Sequence, residues 1–439
     1  MIRPLPVSIA SMAALLAVAL LSCESDPVGP SEGFDDDTLG VVVSEPVPLA
    51  AMATPAARQG PRSTPPSPVA GAEGVSYVSY PPGTIPEGDT LVVSNPGRSV
   101  VSWAPIVDGG VDPVGIAASV GDTLQITIQL QGQPVSSTSR VVPRKSPPRV
   151  VRTRPRRRQA RVPLNSSAEV IFTEPIDPTS VHAGSVQLLG PAPVSATLVS
   201  VSNGAGVEII PDGLLQPSTV HTIAVSGIRD LSGESLAEPF SSQFTSAAAG
   251  AALTSAIVFE SRRSARGEIW FMGEDGSDPI QLVGMVDGGQ ATGPALSPDG
   301  RTVAFSVAPL GGEWDIYVIG VDGTGLTNLT AHPAFDGWRP AWSPDGSRIS
   351  FFSTRDDPVN DEIYVMNADG TEVTRLTDHP ADDAMSTWSP DGTRIAFETN
   401  RDGNFDIYVM NADGTDPQPL TRHPADDEWP AWSPDGTRI

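Results

Sequence analysis

The chain has 439 residues, room for roughly two to four domains, and carries 52 acidic against 27 basic side chains, a formal charge of −25. Such an excess of carboxylates keeps a protein soluble and disfavours nucleic acid and anionic membrane surfaces as partners. Gly (42) and Pro (45) make up about a fifth of the residues, which excludes a fold of long helices and favours short strands joined by tight turns. One cysteine, Cys23, excludes an intrachain disulfide and a thiolate metal cluster.

The N-terminus reads as an export signal. Arg3 gives a basic start, and Val7 to Leu21 is an uncharged apolar run, long enough for a signal-peptide core and short for a membrane span. Leu20-Leu21-Ser22-Cys23 then resembles a bacterial lipobox. The resemblance implies cleavage after residue 22 and acylation of the Cys23 sulfur, giving a lipoprotein signal peptide over 1–22 and a lipid-anchored, exported protein. The alternative is an ordinary secretory signal with a chance cysteine. Residues 23–74 are rich in Pro, Ser, Ala and acids, without apolar periodicity, and predict a disordered linker.

The fold class expected after it is all-β. Thr90-Leu-Val-Val-Ser94, Ser99-Val-Val-Ser-Trp103 and Thr123-Leu-Gln-Ile-Thr-Ile-Gln-Leu130 alternate with period two, predicting a small β-sandwich over 75–147. In 148–248 a strand ending Glu174-Pro-Ile-Asp177 is followed by Leu215-x-Pro217-x-Thr219, by Gly227-Ile228-x-Asp230-x-x-Gly233 and by Phe244-Thr245. That order resembles the bacterial Ig-like domain of the SbsA type, which implies a spacer or adhesion module. At the junction, Arg140 to Arg161 holds ten basic residues and no acid. It reads either as a contact for phosphate or an acidic surface polymer, or as a solvated stretch balancing acidic neighbours.

Self-similarity dominates 255–439. Ser297-Pro-Asp-Gly300 recurs at Ser343, Ser389 and Ser433, at intervals of 46, 46 and 44 residues. Asp315-Ile-Tyr317, Glu362-Ile-Tyr364 and Asp406-Ile-Tyr408 keep the same beat, as do the Asp-Gly pairs at 322, 369 and 413. Pro second and Gly fourth suit a type I turn. Each unit predicts four strands, one propeller blade. The repeated Trp-Ser-Pro-Asp-Gly, Arg-Ile-Ala-Phe, Asp-Ile-Tyr-Val-Met and Asn-Ala-Asp-Gly-Thr resemble the TolB-like, WD40-like repeat. Residues 256–283 would supply the last three strands of a first blade, and Trp429 to Ile439 would begin another. The resemblance implies about six blades, so the propeller is expected to be incomplete at the C-terminus; the alternative is a four-bladed ring closed through Pro430-Ala-Trp432.

Function is expected on the face carrying the variable loops rather than the uniform Ser-Pro-Asp-Gly turns. The connections between blades repeat a histidine with an aspartate four residues on: His332 and Asp336, His379 and Asp383, His423 and Asp427. Trp338 and Trp429 follow the first and last pairs. These eight residues are the candidate binding site, for a cation, a basic peptide or a partner's terminus; alternatively His-Pro shapes the turn and Asp caps it. No Gly-x-Ser-x-Gly, His-Glu-x-x-His or P-loop motif is present, so no catalytic residue, metal or cofactor is assigned. The resemblance implies a non-catalytic cell-envelope lipoprotein, in the periplasm or at the outer membrane, binding an envelope protein or surface polymer through its propeller. An enzyme remains the alternative, because similar repeats form the propeller of prolyl-oligopeptidase-like serine peptidases. A purely structural adhesin is the third reading.

Overall fold

The structure is a computed structural model that describes residues 41–439 other than 45, 49–73, 108, 145, 263–266, 285, 287 and 357–358. The signal-like segment with Cys23 lies outside the described residues, as does most of the expected linker. Among the described residues the architecture is all-β, and helical backbone is confined to 3-10 turns of three residues.

The first module comprises β1 (Val42–Val43), β2 (Val47–Pro48), β3 (Gly74–Tyr80), β4 (Thr90–Asn95), β5 (Val100–Pro105), β6 (Val111–Ala118), β7 (Thr123–Leu130) and β8 (Gln133–Val141). β3 pairs with β1 and β2 on one edge and β6 on the other; the facing sheet runs β5-β4-β7-β8. The period-two alternation of β4 and β7 turns Leu91, Val93, Leu124 and Ile126 inward onto Val78, Tyr80 and Ile116. β3 is buried along its whole length because both faces are covered. Val78 and Tyr80 face the sandwich core, while Val75 and Tyr77 pack with Val47 against Leu231 of the next module. Two short strands, β1 and β2, thus fall inside the segment read as a linker. Completing a sheet edge needs only two residues at a time, and Val42-Val43 and Val47 are apolar islands in an otherwise linker-like composition.

The second module comprises β9 (Val150–Arg154), β10 (Ala168–Phe172), β11 (Val186–Leu189), β12 (Ala196–Val201), β13 (Gly206–Pro211), β14 (Val220–Val225) and β15 (Phe240–Thr245). Sheets β12-β13-β10-β9 and β11-β14-β15 close over Val170, Phe172, Ile209, Ile223 and Phe244. Part of the basic run joins the two modules. Arg152 donates to both carboxylate oxygens of Asp112 at 2.6 Å and to Glu169 at 3.2 Å. Burial works to raise the Asp112 carboxyl, and these Arg152 bonds overcome it and hold the group below the usual carboxylate range.

Four antiparallel sheets follow. The first has three strands, β16 (Ala256–Ser261), β17 (Glu268–Gly273) and β18 (Ile280–Val283). The second is β19 (Gln290–Leu296), β20 (Thr302–Ala308), β21 (Asp315–Gly320) and β22 (Thr327–Asn328); the third is β23 (Ala341–Trp342), β24 (Arg348–Ser353), β25 (Glu362–Asn367) and β26 (Thr374–Arg375). The fourth is β27 (Asp383–Trp388), β28 (Arg394–Thr399), β29 (Asp406–Asn411) and β30 (Gln418–Pro419). Each sheet pairs strands in chain order, as a propeller blade does. The tryptophan ahead of Ser-Pro-Asp-Gly reaches back to the preceding blade: Trp342 Nε1 donates to Ala295 O at 3.0 Å and Trp432 Nε1 to Thr387 O at 3.3 Å. Arg348 lies 4.7 Å over Trp388 and Arg394 4.8 Å over Trp432.

The Ser-Pro-Asp-Gly turns are alike atom for atom. Ser343 Oγ donates to Asp345 Oδ1 at 2.6 Å, Arg348 N donates to Ser343 Oγ, and Gly346 N closes the turn on Ser343 O. The serine hydroxyl, then the amide two residues on, hold Asp345, Asp391 and Asp435 down to about 2.

The second module docks on the first two blades. Leu164 N donates to Asp322 O and Gly250 N to Asp322 Oδ2, both at 2.6 Å, and Asn165 Nδ2 reaches Leu282 O. Gly323 has φ +84, and a Cβ there would sit 2.1 Å from Asn165 Oδ1. Gly323→Ala is expected to destabilise the docked chain by more than about 1 kcal/mol. Faster proteolysis of the 246–255 connection and a lower melting temperature should report it; an unchanged melt would show that this contact does not hold the modules together.

Candidate functional site

Each blade-to-blade connection is built outward from an acid at the start of the third strand. Asp315 accepts from Thr330 Oγ1 at 2.9 Å, and the Thr330 oxygen accepts from Ile316 N at 3.0 Å. Thr377 and Thr421 accept from Ile363 N and Ile407 N in the same way. The histidine two residues after each threonine then folds onto its own turn. Nδ1 of His332, His379 and His423 accepts from the amide of Ala334, Ala381 and Ala425 at 3.2, 3.2 and 3.1 Å. Accepting at Nδ1 fixes the ring hydrogen on Nε2 and fills one lone pair with backbone.

The aspartates turn inward. Asp336 is fully buried; its Oδ1 accepts from Ser353 Oγ at 2.6 Å and from Arg355 Nη2 at 2.8 Å. Asp383, equally buried, takes both oxygens to Arg401 Nη2 at 2.8 Å. Arg355 and Arg401 lie over the Phe351/Tyr364 and Phe397/Tyr408 rings. Each latch therefore ties the chain entering a blade to the loop beyond its second strand, over an aromatic floor. Burial raises the Asp383 carboxyl above its usual range despite Arg401, and Glu362 adds to the rise. Asp427 occupies the corresponding backbone position, its amide donating to Phe405 O at 2.7 Å as the Asp383 amide does to Asp361 O.

Histidines and aspartates of successive repeats share a face without converging, and among the described residues no group of three or more His, Cys, Asp or Glu is poised to hold a metal ion. Aromatic and apolar side chains are among those left exposed. Trp338 is 45% exposed, with Trp314 edge-on at 5.4 Å. Trp429 is 57% exposed, its ring stacked 4.2 Å from the Arg339 guanidinium and its amide bonded to Glu398. Leu310, in the loop between β20 and β21, is 75% exposed. Sequence reasoning missed Arg355, Arg401, Arg339 and Trp314. The first two had a readable signal, since Arg-Asp recurs at 355–356 and 401–402 just beyond matching strands.

One carboxyl stands apart. Asp361, ahead of β25, is pushed up to about 6 by burial first, then by Asp382 and Glu362. Asp382 accepts from the Asp361 amide and from Asn400 Nδ2.

Residues 338–439 match the TolB beta propeller domain model and residues 144–246 the bacterial Ig-like domain model. The chain thus carries a TolB-type β-propeller region behind a bacterial Ig-like domain. Among solved structures, one assigned to TolB from Agrobacterium tumefaciens is 30% identical over 38% of this chain and 60% of its own, with a TM-score of 0.33. TolB from Acinetobacter baumannii is 21% identical over 49% of this chain and 52% of its own, with a TM-score of 0.37. A prolyl endopeptidase is 14% identical over 54% of this chain and 30% of its own, with a TM-score of 0.29. The chain spans between half and two thirds of the length of these two TolB chains. No curated protein matches it.

Two outcomes test the site. An Asp361 whose folded pKa is raised from 3.8 to about 6 makes stability fall as pH rises across that interval, because the folded state keeps the proton longer. Asp361→Asn should flatten that slope in pH-dependent melts, and a slope unchanged in the variant would remove the assignment. Arg401→Ala leaves the buried Asp383 charge without its partner and should cost about 3–5 kcal/mol. Arg422→Ala, on an exposed side chain, should cost under about 0.5 kcal/mol by urea unfolding.

Proposed function

We propose that the chain is a non-catalytic binding scaffold of the bacterial cell envelope, anchored by lipid at Cys23, which engages an envelope protein or surface polymer through the loop face of its propeller. The observation that carries this reading is the contrast on that face. Asp336 and Asp383 are buried against Arg355 and Arg401, whereas Trp338, Trp429 and Leu310 stand in solvent. Tryptophan held in place by a neighbouring ring or guanidinium is well suited to anchor an interface, because little side-chain entropy remains to be lost on binding. The matches to a TolB beta propeller and a bacterial Ig-like domain support an envelope setting, since both domain types are typical of envelope proteins. No helix of the described residues is long and apolar enough to cross a membrane.

Cys23→Ala should abolish metabolic acyl labelling and move the chain from the membrane fraction to the soluble one; continued membrane retention would end the lipid-anchor reading. A photo-crosslinker at position 310 should yield a discrete envelope adduct, weakened at least fivefold by Trp429→Ala. Only diffuse adducts, or adducts indifferent to Trp429, would end the scaffold reading.

A further inference from the structure

The outward face of the β5-β4-β7-β8 sheet is unlike the rest of the surface. Its rungs run Trp103-Val92-Thr127-Ser137, Val101-Ser94-Gln125-Ser139 and Pro105-Thr90-Gln129-Pro134, and no side chain on them ionises. In a chain of charge −25 that is an uncharged window. The corresponding face of the Ig-like module shows the ordinary pattern, with Glu169 paired to Glu208 on one side and Arg154 on the other. Solvent-facing strand positions gain solubility and edge protection from charge, so neither explains Trp103 at 69% and Val101 at 65% exposure.

The polar side chains are organised among themselves. Gln125 Nε2 donates to Ser137 Oγ at 2.8 Å, Ser139 Oγ donates to Gln125 Oε1 at 2.8 Å, and Thr127 and Ser137 share a hydrogen bond at 3.1 Å. Trp103 thus stands on the same sheet face as an ordered field of hydroxyls and an amide. Each of these groups both donates and accepts, as sugar hydroxyls do. An exposed indole offers a face for the C–H side of a sugar ring.

We propose that this face binds a neutral glycan chain, with Trp103 stacking on a sugar ring and Gln125, Thr127, Ser137 and Ser139 meeting hydroxyls. The chemistry of the face selects this occupant over others. An acidic polymer or lipid headgroup would find no cation on it. A second copy or a protein partner would take Gln125, Thr127, Ser137 and Ser139, already bonded to one another, out of water without offering the hydroxyls they match.

The test uses native gels of the full chain cast with hydroxyethyl cellulose, xyloglucan or sodium polygalacturonate. A neutral glucan is expected to retard the protein and quench its tryptophan fluorescence, while polygalacturonate does neither. Trp103→Ala and Ser137→Glu should each weaken retention at least tenfold, and Leu214→Ala, at an exposed position of the Ig-like module, should leave it unchanged. Ser137→Glu changes only a solvent-facing position, so it decides the matter if Trp103→Ala folds poorly. Several results would overturn the proposal: retention by neither neutral glucan, retention by polygalacturonate alone, or retention insensitive to both variants. A dimer in light scattering that Trp103→Ala dissociates would assign the face to a second copy instead.

Discussion

A propeller blade has two sheet faces to keep from water, and only its neighbours can cover them. Here the cover is stitched by an indole. Trp342 and Trp432 each reach back to a backbone carbonyl on the first strand of the preceding blade. Arg348 and Arg394 lie over the rings of the following tryptophans. A hydrogen bond of this kind contributes about 1 kcal/mol and the guanidinium contact about 0.5–1 kcal/mol, on top of the burial of a large apolar ring. At Trp388 the indole nitrogen is buried without an acceptor, while Arg348 still covers the ring. The stacking half of the stitch therefore persists where the hydrogen-bonding half is lost.

The same repetition explains how so acidic a chain packs closely. Its carboxylates are placed where backbone amides, hydroxyls and arginines already wait. The turn aspartates accept from serine and from the amide two residues on, and the strand-end acids cap the connections. Asp336 and Asp383 are enclosed with a guanidinium on an aromatic floor. Asp361 lacks such a cation and sits beside Asp382 and Glu362, so its proton is held longest.

The blade was legible because repetition converts weak local signals into one strong one. Ser-Pro-Asp-Gly, the Ile-Tyr strands and the Asp-Gly turns kept register, and each reappears as the turn or strand read from it. The Ig-like module was legible through its turn residues. β3 was not, because a strand covered on both faces has no alternation to read. β1 and β2 were hidden by brevity. At the candidate site, His-Pro-Ala and the following aspartate could be picked out by spacing. That spacing could not tell whether the aspartate faces solvent or an arginine, a choice set by Arg355 and Arg401 from a different strand.

The contact between the Ig-like module and the second blade is made twice on one residue. Leu164, near the start of the module, and Gly250, just past its last strand, both bond to Asp322. Asn165 adds a further bond, to Leu282 of the first blade, so the module is tied to the propeller by more than its exit strand. Tension applied through the amino-terminal modules would be shared among these bonds and pass into two blades at once.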